Sequence, residues 1–286
     1  MFRLSAFADE ISPDPIEQVD VLAACGIRHI ELRSVLKTNV LDLSDLQISE
    51  LKSLFSKRNI TLSAIGSPIG KIRIDEPFAP HLKRFERAIE LAKTLGTPNI
   101  RIFSYYPAET GDWNTWRAEV LSRMEAKLRL AEKAEIYLLH ENEHRIYGDD
   151  PVRVCDLFQT LGSPYLRAVY DPANYVFCGF DPWQAWQQTR EWTAHFHIKD
   201  WRRGENHGCL AGEGDGRIPE VMSAAAGSPL AIHYLSSRGQ KYDGFATLEP
   251  HLLGGGPTGG VTGKELFPKA VAAFRAVLDQ VGAEYQ

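Results

Sequence analysis

Four successive apolar segments in the second half of the chain end at side chains that can bind a metal or move a proton. IYLLHE stops at Glu141, LRAVYD at Asp171, AHFHIKD carries His197 and GFATLE stops at Glu249. Three carboxylates and one imidazole form a hard, oxygen-rich donor set, unlike the thiolate or multi-histidine sets of structural zinc. The set predicts one divalent ion, manganese by preference, with magnesium or cobalt as alternatives and zinc disfavoured. Glu141 and Glu249 also suit proton transfer. An ion that grips a carbonyl and the adjacent hydroxyl acidifies the carbon-bound proton between them, and a carboxylate on each side can remove or return it. The chemistry expected is epimerisation or isomerisation through an enediolate. Any one of these acids could instead cap a helix or pair with an arginine; four at equivalent points of consecutive strands favour the metal site.

Such a set needs parallel strands whose C-terminal ends meet on one face. Short apolar runs rich in β-branched and aromatic residues recur eight times, each followed by a polar loop and a segment with helical spacing. The strands read as Phe2–Phe7, His29–Leu32, Ile60–Ile65, Asn99–Phe103, Ile136–Glu141, Leu166–Asp171, Ala194–Ile198 and Gly244–Glu249. Residues two apart share a face, so Tyr137, Leu139 and Glu141 form one row, as do Val169 and Asp171, His195, His197 and Lys199, and Thr247 and Glu249.

Helix punctuation supports the alternation. Pro13 and Pro15 open the first helix and Gly26 follows it; Gly96 ends another. Asp150-Pro151 and Asp181-Pro182 read as N-caps before a first-turn proline, and Thr262 to Glu265 as a capping box. Eight units in 286 residues with no break in composition predict a single (β/α)8 TIM barrel, an α/β fold spanning 1–286 as one domain. An open doubly wound sheet is the alternative, but no GxGxxG follows an early strand, so a dinucleotide site has no support. Gly227, Ser228 and Pro229 should split the seventh helix within Ile218 to Gln240. The run GGGPTGG (Gly254 to Gly260) reads as a flexible connector or an anion cradle, without the spacing of a phosphate-binding Walker loop.

Composition narrows the partners. Hydrophobic residues at 44% and charged residues at 24% are those of a globular protein, which argues against disorder. The net charge of -5 lacks the broad positive field that non-specific nucleic-acid binding needs. No window approaches a membrane span and the N-terminus lacks a long apolar run, so a cytoplasmic protein is expected. Cys25, Cys155, Cys178 and Cys209 contain no CxxC pair and read as buried free thiols.

Read together, SAFADE with GIRHIELR, LLHENE, VYDPANY, HFHIKD followed by LAGEGDG, and GFATLEPH resemble the xylose isomerase-like TIM-barrel superfamily of sugar and sugar phosphate isomerases and epimerases. The resemblance covers nearly the whole chain. It implies Glu141, Asp171, His197 and Glu249 as metal ligands, with Glu141 and Glu249 the acid/base pair. It also implies substrate contacts at Asn174 and Arg203. Many ketose 3-epimerases resemble this chain but carry histidine where Asn174 stands, which argues against that particular activity. Barrels of this family often pair, so the resemblance implies a homodimer.

Other rim residues are candidates by position. Lys199 could hold a substrate oxygen or pair with Asp200 or Glu213. Trp201 could floor a sugar pocket, His251 could face the site and Glu213 belongs to the GEG turn beside it. His195 reads as packed behind His197. Glu31, Arg33, Ser67, Ser104 and Tyr105 could read sugar hydroxyls, and Lys71, Arg101, Arg202 and Arg203 are candidate phosphate partners.

The substrate expected is a small sugar or sugar derivative. A metal-dependent dehydratase or lyase on a keto-sugar or keto-inositol shares the first proton removal. The AP endonuclease branch also resembles the chain, but Ser67, Ser104, Asn174 and the Asp215-Gly-Arg217 run replace the histidines its zinc cluster needs. A sugar-binding barrel without chemistry is a further alternative.

Overall fold

The computed structural model describes residues 1–227, 242–256 and 259–286. Eight strands form its centre: β1 (Phe2–Ala6), β2 (His29–Leu32), β3 (Thr61–Ile65), β4 (Asn99–Ile102), β5 (Tyr137–Glu141), β6 (Leu166–Tyr170), β7 (Thr193–Ile198) and β8 (Gly244–Leu248). Each pairs in parallel with its sequence neighbours and β1 pairs with β8, so the sheet closes into a (β/α)8 barrel. The strand bounds fall within a residue or two of those read from hydropathy.

Helices pack around the outside: α1 (Pro15–Ala24), α2 (Asp45–Arg58), α3 (Phe78–Leu95), α4 (Trp113–Ala134), α5 (Pro151–Leu161), α6 (Pro172–Phe177), α7 (Pro182–Thr189), α8 (Ile218–Gly227) and α9 (Phe267–Gln280). The main apolar core lies between them and the strands, with Leu22, Phe85, Leu91, Met124, Leu157, Trp186, Val221 and Phe274 buried in it. A small second cluster of Ala64, Leu139 and Val169, with Tyr137 against it, is separate from that core. This is the pattern of inward rows in a barrel, and Leu139 and Val169 each lie two residues before a strand-end acid.

Several caps follow the sequence. Asp150 accepts from Val152 N and Asp181 from Gln184 N, each before a first-turn proline. Gly96 closes α3 in the left-handed region at φ +77°. Three expectations need correction. Thr262 caps no helix: its hydroxyl donates to buried Glu10, and α9 begins at Phe267. The glycine run forms a small antiparallel ribbon pairing Gly255–Gly256 with Gly259–Gly260, not a plain connector. Cys25, Cys155 and Cys178 are half-buried and only Cys209 is buried, although all four are free. α8 ends at Gly227, and the expected split at Gly227 to Pro229 otherwise falls outside the described residues. Among the described residues no helix is long and apolar enough to cross a membrane.

Candidate metal and proton-transfer site

The strand ends bring Glu141, Asp171, His197 and Glu249 together. One donor atom from each lies within 4.8 Å of all the others, and all four residues are buried. Glu141 is the last residue of β5, His197 lies in β7, and Asp171 and Glu249 directly follow β6 and β8. Asp171 has two roles. Its Oδ1 caps α6 through Asn174 N at 3.1 Å, which leaves Oδ2 to face the cluster.

His197 sits at the centre. Its Nδ1 is 3.2 Å from Glu141 Oε1 and 3.7 Å from Glu249 Oε2. Its Nε2 lies 3.1 Å from Glu31 Oε2, which also meets His195 Nε2 at 3.0 Å. Held from behind by Glu31, the imidazole presents Nδ1 to the carboxylates, the arrangement in which a ligating histidine is oriented through its other nitrogen. His195 also meets the Thr247 hydroxyl at 2.7 Å, so it packs behind His197 as its strand row predicts.

Two arginines anchor the outer carboxylates. Arg101 of β4 donates to Glu141 Oε2 at 3.0 Å and to the carbonyls of Gly66 and Ser67. Arg33, just past β2, donates to Glu249 Oε1 at 2.7 Å and to Asp9 at 2.8 Å. Lys199 Nζ lies 2.7 Å from Asp171 Oδ2 and 3.4 Å from Glu249 Oε2, rather than on Asp200 or Glu213. Asn174 donates to Glu141 Oε1 at 3.1 Å, and Asn142 ties the strands together by bonding both backbone groups of Asp171.

The charges set one another. Burial alone would raise Glu141, but His197 and then Arg101 bring it down to about 2. Burial likewise opposes ionisation of Glu249, which Lys199, His251 and Arg33 hold well below the usual carboxylate range. Asp171 is pushed up to about 7 by burial, with Lys199 pulling the other way and Glu141 adding repulsion. His197 would be lowered by burial, yet Glu141 and Glu31 raise it to about 10.

The donor set fits a divalent cation. Asp171 Oδ2 and His197 Nδ1 are buried without a well-aligned hydrogen bond, and both face the space where Glu141 and Glu249 converge. Three oxygens and one imidazole nitrogen are ordinary ligands for manganese, magnesium or cobalt.

Of the other expected site residues, His251 and Arg101 stand beside the ligand glutamates, whereas Glu213, Arg203 and Trp201 engage groups outside the cluster. The Glu213 side chain is exposed and pairs with Arg202 at 3.2 Å. Arg203 is exposed and donates to the Phe180 carbonyl at 3.1 Å. Trp201 is buried against Phe177, and its ring N–H donates to Glu205 O. His251 lies beside Glu10 at 2.8 Å, under Gly260, and Glu10, Glu249 and His251 form a further buried acid and imidazole group. Arg101 and Lys71, expected as phosphate partners, are paired with Glu141 and with Glu143 at 2.7 Å. Ser67 donates to Arg101 O and Ser104 meets His140 Nε2, so both strand-end hydroxyls have structural partners. Sequence reasoning assigned nothing to Asp9 or Glu10, and weighed Asp200 only as a partner for Lys199. The acidic pair at the end of β1 was the available signal for the first two. Asp200 accepts four backbone N–H groups, from Trp201, Gly212, Gly214 and Gly216, and so fastens the GEG turn.

The chain is 27% identical over 201 residues to the 2-epi-5-epi-valiolone 7-phosphate 2-epimerase of an Actinoplanes strain, covering 68% of this chain and 71% of that protein. It is 24% identical over 129 residues to the 3-dehydroshikimate dehydratase of Bacillus anthracis, covering 45% of this chain and 46% of the relative. Among solved structures, a xylose isomerase-like TIM barrel protein from Mycobacterium smegmatis in complex with magnesium superposes with a TM-score of 0.71 at 14% identity. That match covers 99% of this chain and 97% of the other. The model of the xylose isomerase-like TIM barrel family matches residues 19–275, and the chain belongs to that family.

Proposed function

We propose that the protein is a divalent-metal-dependent epimerase or isomerase of a sugar or sugar derivative, with Glu141 and Glu249 as its acid/base pair. The observation that carries this reading is the placement of both glutamates about one imidazole, 3.2 Å and 3.7 Å from His197 Nδ1. Glu141, Asp171, His197 and Glu249 would hold the ion, manganese by preference. A bound ion would polarise the substrate carbonyl and its neighbouring hydroxyl and stabilise the enediolate.

This chain's own groups supply the remainder. One glutamate takes the proton from the carbon beside the carbonyl, and the electron pair moves onto the carbonyl oxygen. The glutamate on the opposite side, having taken up a proton from solvent, delivers it to that carbon from the other face, which inverts it; delivery to the former carbonyl carbon, with the substrate's hydroxyl proton passing to the former carbonyl oxygen, isomerises instead. Lys199, beside Asp171 and Glu249, can donate to a substrate oxygen, and Asn174 orients Glu141. Arg33 and Arg101 fix the glutamates through side chains that are themselves pinned, which keeps the proton path short. Four free thiols suit a reducing, cytoplasmic compartment.

The epimerase relative supports the reading at the level of reaction type. The dehydratase relative supports a second one, in which the same proton removal is followed by loss of a β-hydroxyl as water. The test is a ketose panel in deuterium oxide. Deuterium entering one carbon, with product mass otherwise unchanged and exchange abolished in Glu141→Gln or Glu249→Gln, is the expected result. A product lighter by water would select the dehydratase, and exchange that survives both substitutions would overturn the acid/base assignment.

A further inference from the structure

The four converging donors are buried, yet an open cavity of about 610 Å³ lies one side chain away from them. Arg33 is the wall between the two: its Nη1 touches Glu249 at 2.7 Å while the same guanidinium lines the cavity with Asp9, Lys37, Gly255, Gly259 and Gly260. A Cβ built on Gly259 would lie 3.9 Å from Arg33 Cζ and Nη1, so the glycine ribbon runs beside that guanidinium.

The charges around the cavity are unevenly used. Asp9 Oδ2 accepts from Arg33 Nε at 2.8 Å and from Ser34 Oγ at 2.6 Å, and the same guanidinium also serves Glu249 and Glu10, so Arg33 is fully engaged by carboxylates. Lys37 has no carboxylate partner among the described residues, although it too lines the cavity. It stands at the tip of a two-residue hairpin joining Ser34–Val35 to Thr38–Asn39, where Leu36 and Lys37 adopt φ of +53° and +59°. Turns of this kind are built for Asn-Gly, and two side-chain-bearing residues in the left-handed region carry backbone strain that tends to mark function. The hairpin is fixed at its base, with Leu36 N on Pro13 O at 2.7 Å and Asn39 Nδ2 on Arg33 O at 3.3 Å, so the lysine is presented from an anchored support.

We propose that this cavity holds a phosphate monoester carried by the substrate, and that Lys37 is the residue that pairs with it. The inference rests on the proton-transfer reading for the position of the reacting carbons. A phosphate in the cavity stands beyond Arg33 from Glu249, which fits a substrate whose charged group is several bonds from the carbon that loses its proton.

The test has two arms on the full chain. In the first, inorganic phosphate is titrated calorimetrically at low ionic strength. Lys37→Ala is expected to weaken binding ~10-fold or more, as loss of a charge-assisted contact does, while Lys37→Arg retains it and Arg202→Ala, on a surface pair, leaves it unchanged. The pair Leu36→Asn with Lys37→Gly, which suits the turn, is expected to fold at least as stably and to lose phosphate binding. Equal affinity in wild type and Lys37→Ala would overturn the proposal. In the second, solvent deuterium exchange compares a ketohexose with its 6-phosphate. A KM ~10-fold lower for the phosphate, with the advantage lost in Lys37→Ala, supports the subsite, and equal KM values overturn it. Lys37-dependent phosphate binding without exchange into either sugar would keep the subsite and overturn the proton-transfer reading.

Discussion

Replacing Lys127 with methionine should stabilise the protein at neutral and mildly acidic pH and have a much smaller effect at alkaline pH. Lys127 lies on the inward face of α4 and is 0% exposed. Its Nζ finds only the Phe103 carbonyl at 3.4 Å and the ring of Tyr105 at 4.6 Å, and no carboxylate pairs with it among the described residues. Burial, with repulsion from Arg123 added, lowers its pKa from 10.5 to about 7. The unfolded chain therefore still holds the proton between about pH 7 and 10.5 while the native chain does not, so stability rises with pH across that window. Below it both states are charged and the native state carries the full penalty, roughly 5 kcal/mol at 1.36 kcal/mol per pKa unit. Between about pH 6.5 and 9.5 the penalty falls by roughly 3 kcal/mol. Urea unfolding of wild type and Lys127→Met at both pH values isolates this group, because other titrations are common to the two proteins. The variant's advantage should shrink by that amount on going to alkaline pH. An advantage independent of pH, or a variant less stable at pH 6.5, would refute the argument that an unpaired buried ammonium is held here.

Asp200→Asn should cost about 2–4 kcal/mol, because each carboxylate oxygen accepts two N–H groups and an amide nitrogen would oppose two of them; amide exchange at Gly212 and Gly214 should accelerate, and unchanged protection would contradict this role. Gly70→Ala should destabilise by more than about 3 kcal/mol, since its φ is +99° and the added Cβ would lie 2.0 Å from the Phe103 carbonyl oxygen. A thermal melt near that of wild type would show that the β3 and β4 ends can move apart. Ser44→Ala removes one half of a capping box with Gln47 and should cost about 1 kcal/mol, read by chemical denaturation.

The barrel was legible because inward and outward rows alternate along short strands, and the period places Leu139 with Glu141 and Val169 with Asp171. The convergence of the four strand ends followed from the same rule, since parallel strands in a barrel finish on one face. Pairings between strands were not legible. Arg101 sits beside Leu139 in register, so its side chain reaches Glu141 two residues on, a diagonal that only the stagger of β4 on β5 defines. Glu31 follows a register shift between Ile30 and Glu31, an irregularity with no mark in the hydropathy pattern. Thr262 has the local spacing of a cap, but Glu10, 252 residues away in sequence, takes its hydroxyl. Arg203 and Glu213 were placed by analogy along the chain, whereas the loop after β7 is folded by Asp200 and turns both outward.

The central claim is that Glu141, Asp171, His197 and Glu249 form one metal-binding set, and elemental analysis of the purified protein tests it most directly. After chelation and reloading with manganese, cobalt, magnesium or zinc in turn, about one divalent ion per chain should be retained from at least one of them. Retention should be lost in His197→Ala and in Glu141→Ala. Failure of every ion to bind, or binding undiminished in both variants, would contradict the claim.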